Sequence, residues 1–590
     1  MAAGHEEAPR ARGLGRRARP ALAAVAGAVP AFAFPAPSLW WLAWVALVPW
    51  LLLVRGAPTG RQAAVAGWLG GTGFILAVHH WLLPSLHVFL FVLAALLGLL
   101  WAPWAWLVRR LLGGRPGPGG VAAAVVLVPS GWLMAELVRS WEYLGGPWGL
   151  LGASQWQVTP ALRLASVGGV WLVTFVLVAV NTALAALAAM LLVRRDGGAA
   201  DAGSGPGTGM GMGAASGKDT GAGAHEAKSG RPAVSSALRS PLSPAVASCA
   251  ALAVCGGAVA AAWAWAPVPR TDRELRVAVV QPGVVTGQRA RLERSESLTR
   301  ELTGRSMDLV VWGESSVSFD LNSHPRLREH LSALSSKVGS PILVNVDARR
   351  SDRPGIYKSS ILLGPDGQVG RRYDKNRLVP FGEYIPARSL LGWATSVGRA
   401  AGEDRLRGDG PVMMRGSGVK FGPLVCFESA FPDMSRQLAL DGARLIVTQS
   451  STSTFQHSWA PAQHASLAAL RAAETGRPMV HATLTGVSAV YGPHGERIGP
   501  WLGTDRHTAE VYKVPLATGS TLYLRTGDWI VHTAVAALVV YGAAEGAGAF
   551  RRRRRGGGRG GGGRGSSGSR DSGEGPEGAG SSKSSSPGGD

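Results

Sequence analysis

The stretch Pro423–Leu424–Val425–Cys426–Phe427–Glu428–Ser429 reads as a short apolar strand that runs into a cysteine and then a carboxylate. The carboxyl edge of a strand is where open α/β sheets gather reactive groups. Among 590 residues there are three cysteines, which excludes a disulfide scaffold. Cys249 and Cys255 share one apolar run at a spacing that puts them on different helix faces. Cys426 is therefore the lone thiol of the polar part of the chain. By itself it reads equally as a nucleophile or as a small buried hydrophobe.

Outward from Cys426, residues 275–515 alternate short β-branched runs with amphipathic Ala/Leu/Arg-rich stretches. Leu275–Gln281, Leu309–Trp312, Ile342–Val346, Ser360–Leu363, Leu424–Cys426 and Leu445–Thr448 are expected strands. Pro365–Asp366–Gly367 is a turn signal, and Leu327–Val338 and Ala462–Thr475 are expected helices. The mixture predicts an α/β layered domain.

Farther out the character changes. Apolar runs at 20–36, 38–54, 63–84, 88–108, 121–138, 164–193, 245–267 and 528–549 approach the length needed to cross a bilayer. Pro30 and Pro35 interrupt the first, whose charged flank resembles a signal-peptide n-region. Arg55 and Arg61, Arg109 and Arg110, Arg194 and Arg195, and the Arg551–Arg555 cluster all follow even-numbered runs. By the positive-inside rule both termini are expected to be cytoplasmic and residues 275–515 extracytoplasmic; Arg139 and Arg163 are mild exceptions. The net charge of +22 sits largely at the two ends, without an aromatic-interleaved basic domain, so a nucleic-acid partner is not expected.

The expected organisation is a basic cytoplasmic N-terminus (1–19), a membrane domain of about six spans (20–193) and a disordered cytoplasmic linker (194–244). A span (245–267), the α/β domain (275–515), a C-terminal span (528–549) and a basic disordered tail (551–590) follow.

Two further residues carry chemistry. Glu314 ends the run Leu309–Val310–Val311–Trp312–Gly313, where a carboxylate beside a Trp can serve as a base; it reads equally as a solvated loop residue. Lys375 lies in Tyr373–Asp374–Lys375–Asn376–Arg377–Leu378–Val379–Pro380–Phe381–Gly382–Glu383, too mixed for a regular element, and an ammonium there could hold an oxyanion or simply face water.

Together, V-V-W-G-E at 310–314, Y-D-K-N-R-L-V-P-F-G-E-Y-I-P at 373–386 and L-V-C-F-E-S at 424–429 resemble the nitrilase (carbon–nitrogen hydrolase) superfamily, whose Glu–Lys–Cys triad occurs in this order. The K-x-x-L-V-P-F-G-E-x-x-P form and the flanking spans look like its membrane branch, the apolipoprotein N-acyltransferases. P-W-G-L-L-G-A-S-Q at 147–155, R-A-A-E-T-G-R-P at 471–478, T-G-V-S-A-V at 485–490 and T-L-Y-L-R-T-G-D at 521–528 echo the same branch.

The resemblance implies a multi-span helical membrane domain carrying an extracytoplasmic nitrilase-like αββα domain. Glu314, Lys375 and Cys426 are then the expected catalytic residues, with Glu383 and Glu428 in support. It implies acyl transfer from a membrane phospholipid, through a Cys426 thioester, to the N-terminal amine of a diacylglyceryl apolipoprotein, by a monomer without metal or cofactor. A membrane-tethered amidase of a small substrate is the alternative. The chain departs from the family pattern at Gln449–Phe455 and lacks an aromatic at 284–290, which bears on substrate positioning rather than on the triad.

Overall fold

The computed structural model describes residues 18–201, 243–386, 388–391 and 403–557. The expectations for residues 1–17, for 202–242 of the linker and for the tail beyond 557 lie outside the described residues.

Alternating burial builds two sheets. In β1 (Arg270–Gln281), Val277 and Val279 face one side while Ala278 and Val280 face the other. β2 (Leu309–Trp312) and β3 (Ile342–Arg349) follow in parallel, then β4 (Ile356–Gly364), β5 (Gly367–Gln368) and β6 (Tyr373–Asp374) antiparallel. The expected Pro365–Gly367 turn joins β4 to β5. The second sheet holds β7 (Met414–Gly416), β8 (Val419–Val425), β9 (Leu445–Ser450), β10 (Met479–Thr483), β11 (Ser488–Tyr491) and β12 (Arg497–Leu502). β13 (Thr508–Thr518) returns to the first sheet and pairs along all of β1.

The inner faces meet in one apolar core that includes Val277, Val311, Leu343, Phe421, Val447 and Val480. Helices Gln288–Arg300 and Pro325–Val338 cover the outer face of the first sheet through Leu298, Leu331 and Leu334. Helix Ala460–Thr475 is buried along its whole length. It lies between the second sheet and the helical half, and its Leu467 and Leu470 share a core with Leu162 and Trp148. The expected αββα layering is thus present, and its fourth layer is also the seam to the membrane-type helices.

Among the described residues, five helices are long and apolar enough to cross a bilayer: Phe89–Leu112, Pro118–Arg139, Thr159–Leu192, Pro244–Trp265 and Trp529–Arg552. The first two expected runs form shorter pieces, Ala18–Ala33 and Trp40–Arg55. Pro30 sits in a 3₁₀ turn, Val29–Ala33, that ends the first helix. The third run is a helix over Gly60–Val78.

Helices also outlast the apolar runs, to Asp201 and to Gly557, because Ala- and Arg-rich flanks propagate a helix already nucleated. Residues 194–201 of the expected disordered linker and 551–557 of the expected disordered tail are therefore helical. Cys249 is exposed and Cys255 buried, as different faces require. Both the helical half and the two sheets belong to one compact unit ending at Leu538.

Candidate active site

Each of the three expected catalytic residues sits just beyond a strand. β2 ends at Trp312, and Gly313 passes so close to the second sheet that a Cβ would lie 1.9 Å from the Leu484 nitrogen. Only glycine permits that approach. It lets Glu314 donate its backbone N–H to the Ser450 carbonyl, 3.0 Å away at the end of β9. Lys375 follows β6 and donates its backbone N–H to Lys358 of β4 at 2.8 Å. Cys426 follows β8 and opens a 3₁₀ turn, Cys426–Ala430, with φ +53°. That left-handed conformation is strained for a residue with a side chain, and it turns the thiol off the strand line.

The structure brings Glu314, Lys375, Glu383 and Cys426 together. Lys375 Nζ is 2.8 Å from Glu383 Oε1 and 3.4 Å from Glu314 Oε1, and the residue is 0% exposed. A second ammonium completes the cluster: Lys358 Nζ lies 2.7 Å from Glu314 Oε1 and 2.8 Å from Glu383 Oε1. Two carboxylates and two ammonium groups therefore balance in a water-poor site. Burial alone would raise the Glu314 pKa, but Lys358 and Lys375 outweigh it and hold it below the ordinary carboxylate value. The same balance holds Glu383 at about 2 and raises both lysines despite their burial.

Cys426 is half-buried, and desolvation pushes its thiol up to about 12; Glu314 adds to the rise while Lys375 and Lys358 oppose it. The resting group at neutral pH is therefore a thiol rather than a thiolate.

Glu428 acts differently. Its carboxylate accepts from Asn376 N–H at 2.7 Å, Arg377 N–H at 3.0 Å, Val425 N–H at 2.7 Å and the Tyr373 hydroxyl at 2.8 Å. It ties the chain just after Lys375 to the chain just before Cys426. Burial raises its pKa, while Lys375 and these N–H groups oppose the rise. Glu383 shares this bracing role through Oε2, which accepts from Val379 N–H at 2.9 Å.

Cys426 lines a cavity of about 330 Å³. The helical half contributes Trp81, Leu86, Leu90, Leu97 and Trp148 to the lining, and the sheet domain contributes Phe381, Phe427 and Phe455. Trp81 and Trp148 both donate their indole N–H to Gln463 Oε1, at 3.2 and 2.9 Å. The segment that departs from the family pattern contributes Ser451, Thr452, Thr454 and Phe455 to the lining. Its Gln449 instead bridges the sheets, donating to the Trp312 and Leu343 carbonyls.

Sequence reading missed three features. Lys358 is signalled only by a lysine inside the apolar strand Ile356–Tyr357–Lys358–Ser359–Ser360. His464 packs under Cys426, with Nε2 3.0 Å from its carbonyl oxygen; burial lowers its pKa to about 4, so it stays neutral. Arg139, an exception to the charge rule, is 2% exposed and donates to the Trp148 and Gly149 carbonyls at 2.5 and 2.7 Å. It holds the Pro147–Gln155 loop rather than marking a membrane face.

Comparison with known proteins places this geometry. Residues 276–516 match the carbon–nitrogen hydrolase family and residues 26–183 the apolipoprotein N-acyltransferase N-terminal domain. Among solved structures, a CN-hydrolase superfamily protein from Xanthomonas campestris is 18% identical, over 41% of this chain and 91% of that one, with a TM-score of 0.32. An apolipoprotein N-acyltransferase of Geobacter metallireducens is 28% identical over 556 residues, 90% of this chain and 95% of the relative. That of Azotobacter vinelandii is 30% identical over 534 residues, 86% of this chain and 91% of the relative. With both halves matched and most of its length spanned by such relatives, the chain belongs to the apolipoprotein N-acyltransferase family, multi-pass membrane enzymes that N-acylate lipoproteins.

Proposed function

We propose that the chain transfers a fatty acyl group from a membrane phospholipid, through a thioester on Cys426, to the N-terminal amine of a diacylglyceryl apolipoprotein. The observation that carries this reading is that Cys426 lines one cavity together with Leu90 and Leu97 of the apolar helix Phe89–Leu112. An acyl chain can enter there without crossing water. A small polar amide would leave Leu86, Leu90 and Leu97 unmatched.

In the first half-reaction Glu314 takes the Cys426 proton as sulfur attacks the ester carbonyl, and Lys375 stabilises the oxyanion. Collapse breaks the ester C–O bond. Glu314 returns the proton to the departing lysophospholipid oxygen, leaving the thioester. The acceptor amine then attacks, Glu314 removes its proton, and the C–S bond breaks to restore the Cys426 thiol.

The eight apolar runs are proposed as spans, with residues 275–515 outside and both termini in the cytoplasm, and the working unit as a monomer. The domain boundaries given above stand as proposals with this topology. The test is mass spectrometry of purified protein supplied with phospholipid and no acceptor. An acyl-sized adduct on Cys426 that hydroxylamine removes is expected in the wild type and absent in Cys426→Ala. Acyl transfer to a lipopeptide by Cys426→Ala would refute the thioester route.

A further inference from the structure

Lys375 is not the nearest cation to the proposed base. Glu314 Oε1 lies 2.7 Å from Lys358 Nζ and 3.4 Å from Lys375 Nζ. Lys358 also reaches Glu383 Oε1 at 2.8 Å, and its backbone carbonyl accepts the Lys375 N–H at 2.8 Å. We infer that Lys358 is a positioning residue of the acylation step: it fixes Glu314 by one oxygen, directs the other toward the thiol, and shares with Lys375 the charge of Glu314 and Glu383. The inference rests on the thioester reading above.

The geometry carries it in two ways. Both ammonium groups bond the same Glu314 oxygen, and among the described residues Oε2 accepts no hydrogen bond, which leaves it for the Cys426 proton. Without Lys358, Lys375 would be the sole cation for Glu314 and Glu383, and little of its charge would remain for an oxyanion. The groups facing Lys358 are Glu314, Glu383, Asp347 and Cys426, with Lys375 beside the same two glutamates and Arg405 paired to Asp347. Lys358, the nearer ammonium, depresses the Glu314 pKa more than Lys375 does.

Replacing Lys358 by a neutral residue removes an adjacent positive charge, so the Glu314 pKa rises. A base works only above its pKa, so the acidic limb of the rate profile must move to higher pH. The experiment follows acyl-Cys426 formation against pH in detergent-solubilised, full-length wild type, Lys358→Met and Lys358→Gln. The donor is an equimolar mixture of phosphatidylethanolamine and phosphatidylglycerol with radiolabelled acyl chains.

The neutral variants are expected to shift the limb upward by about 1–3 pH units, as loss of a contacting opposite charge does. They lose at least about tenfold in rate on the acidic side and less on the alkaline plateau. Folded neutral variants whose limb coincides with wild type would overturn the inference, since bracing alone would change stability and not the profile. Should neither neutral variant fold, Lys358→Arg decides: a limb in place with acylation about tenfold lower supports positioning by the ammonium, and a wild-type rate overturns it. Absence of hydroxylamine-sensitive acyl-Cys426 in the wild type would instead sink the thioester reading itself.

Discussion

The Glu428 carboxylate accepts four hydrogen bonds and donates none, so its amide is a poor substitute. Glu428→Gln points an NH₂ group at N–H donors, and a buried unsatisfied group costs about 1–3 kcal/mol. Glu428→Gln is therefore expected to lower the thermal midpoint in detergent and to slow acyl-Cys426 formation; an unchanged midpoint would contradict the bracing role. Glu383 adds a pH signature. Its folded pKa, about 2, lies below the ordinary carboxylate value, so its stabilisation is present above that ordinary value and lost as pH falls toward 2. Glu383→Gln should flatten acid destabilisation across that window, as read by denaturation midpoints at stepped pH. Cys426, pushed up to about 12, should alkylate with iodoacetamide slowly at neutral pH and faster as pH rises toward that value.

At the scale of elements, the helix over Thr159–Leu192 breaks at Gly168 and Gly169, and the break is where the two halves are joined. Gly169 has φ +69°, and a Cβ there would lie 2.7 Å from the Tyr523 ring. Val170, at the restart of the helix, donates its N–H to Glu474 Oε1 at 2.7 Å, so a carboxylate from helix Ala460–Thr475 caps it. Burial raises Glu474 to about 7, opposed by Arg471, which donates Nη2–H to its Oε1 at 2.9 Å. Gly169→Ala adds both left-handed strain and a clash. It should destabilise by about 1–2 kcal/mol or more, measured as a lower midpoint with the alkylation chemistry of Cys426 retained at low temperature. A midpoint equal to wild type would show that the break tolerates a side chain.

For the whole molecule, the cavity that holds Cys426 takes part of its lining from the helical half, which the two sheets do not supply. Trp81 packs edge-on against Phe455 at 4.7 Å and lies 5.4 Å from Trp148, so it joins the two parts of that lining. Trp81→Ala should reduce acyl-Cys426 yield from phospholipid by at least about tenfold, because apolar contact with the chain is lost. Iodoacetamide labelling of the thiol should persist. Equal loss of both would point to general unfolding instead. The topology is tested by single-cysteine labelling: position 220 is expected to label only from the cytoplasmic side and a site in 288–300 only from outside.

Pattern along the chain was enough to read the family, the layered α/β domain and the apolar runs, and to single out Glu314, Lys375 and Cys426 as candidates, because each is written locally. Period-two burial reports a strand, an apolar run reports a span, and a charged residue after a strand reports a sheet edge. Local pattern is silent on what arrives from distant segments. Lys358 is 44 residues from Glu314 and reads as one polar position in a strand until the sheet sets it beside that carboxylate. Arg139 reads as a surface charge until the Trp148 and Gly149 carbonyls bury it. Trp81 and Gln463 are 382 residues apart, yet their hydrogen bond helps fix the cavity wall. Short-range pattern carries burial and period, whereas electrostatic partnership depends on through-space distance, which only the folded chain sets.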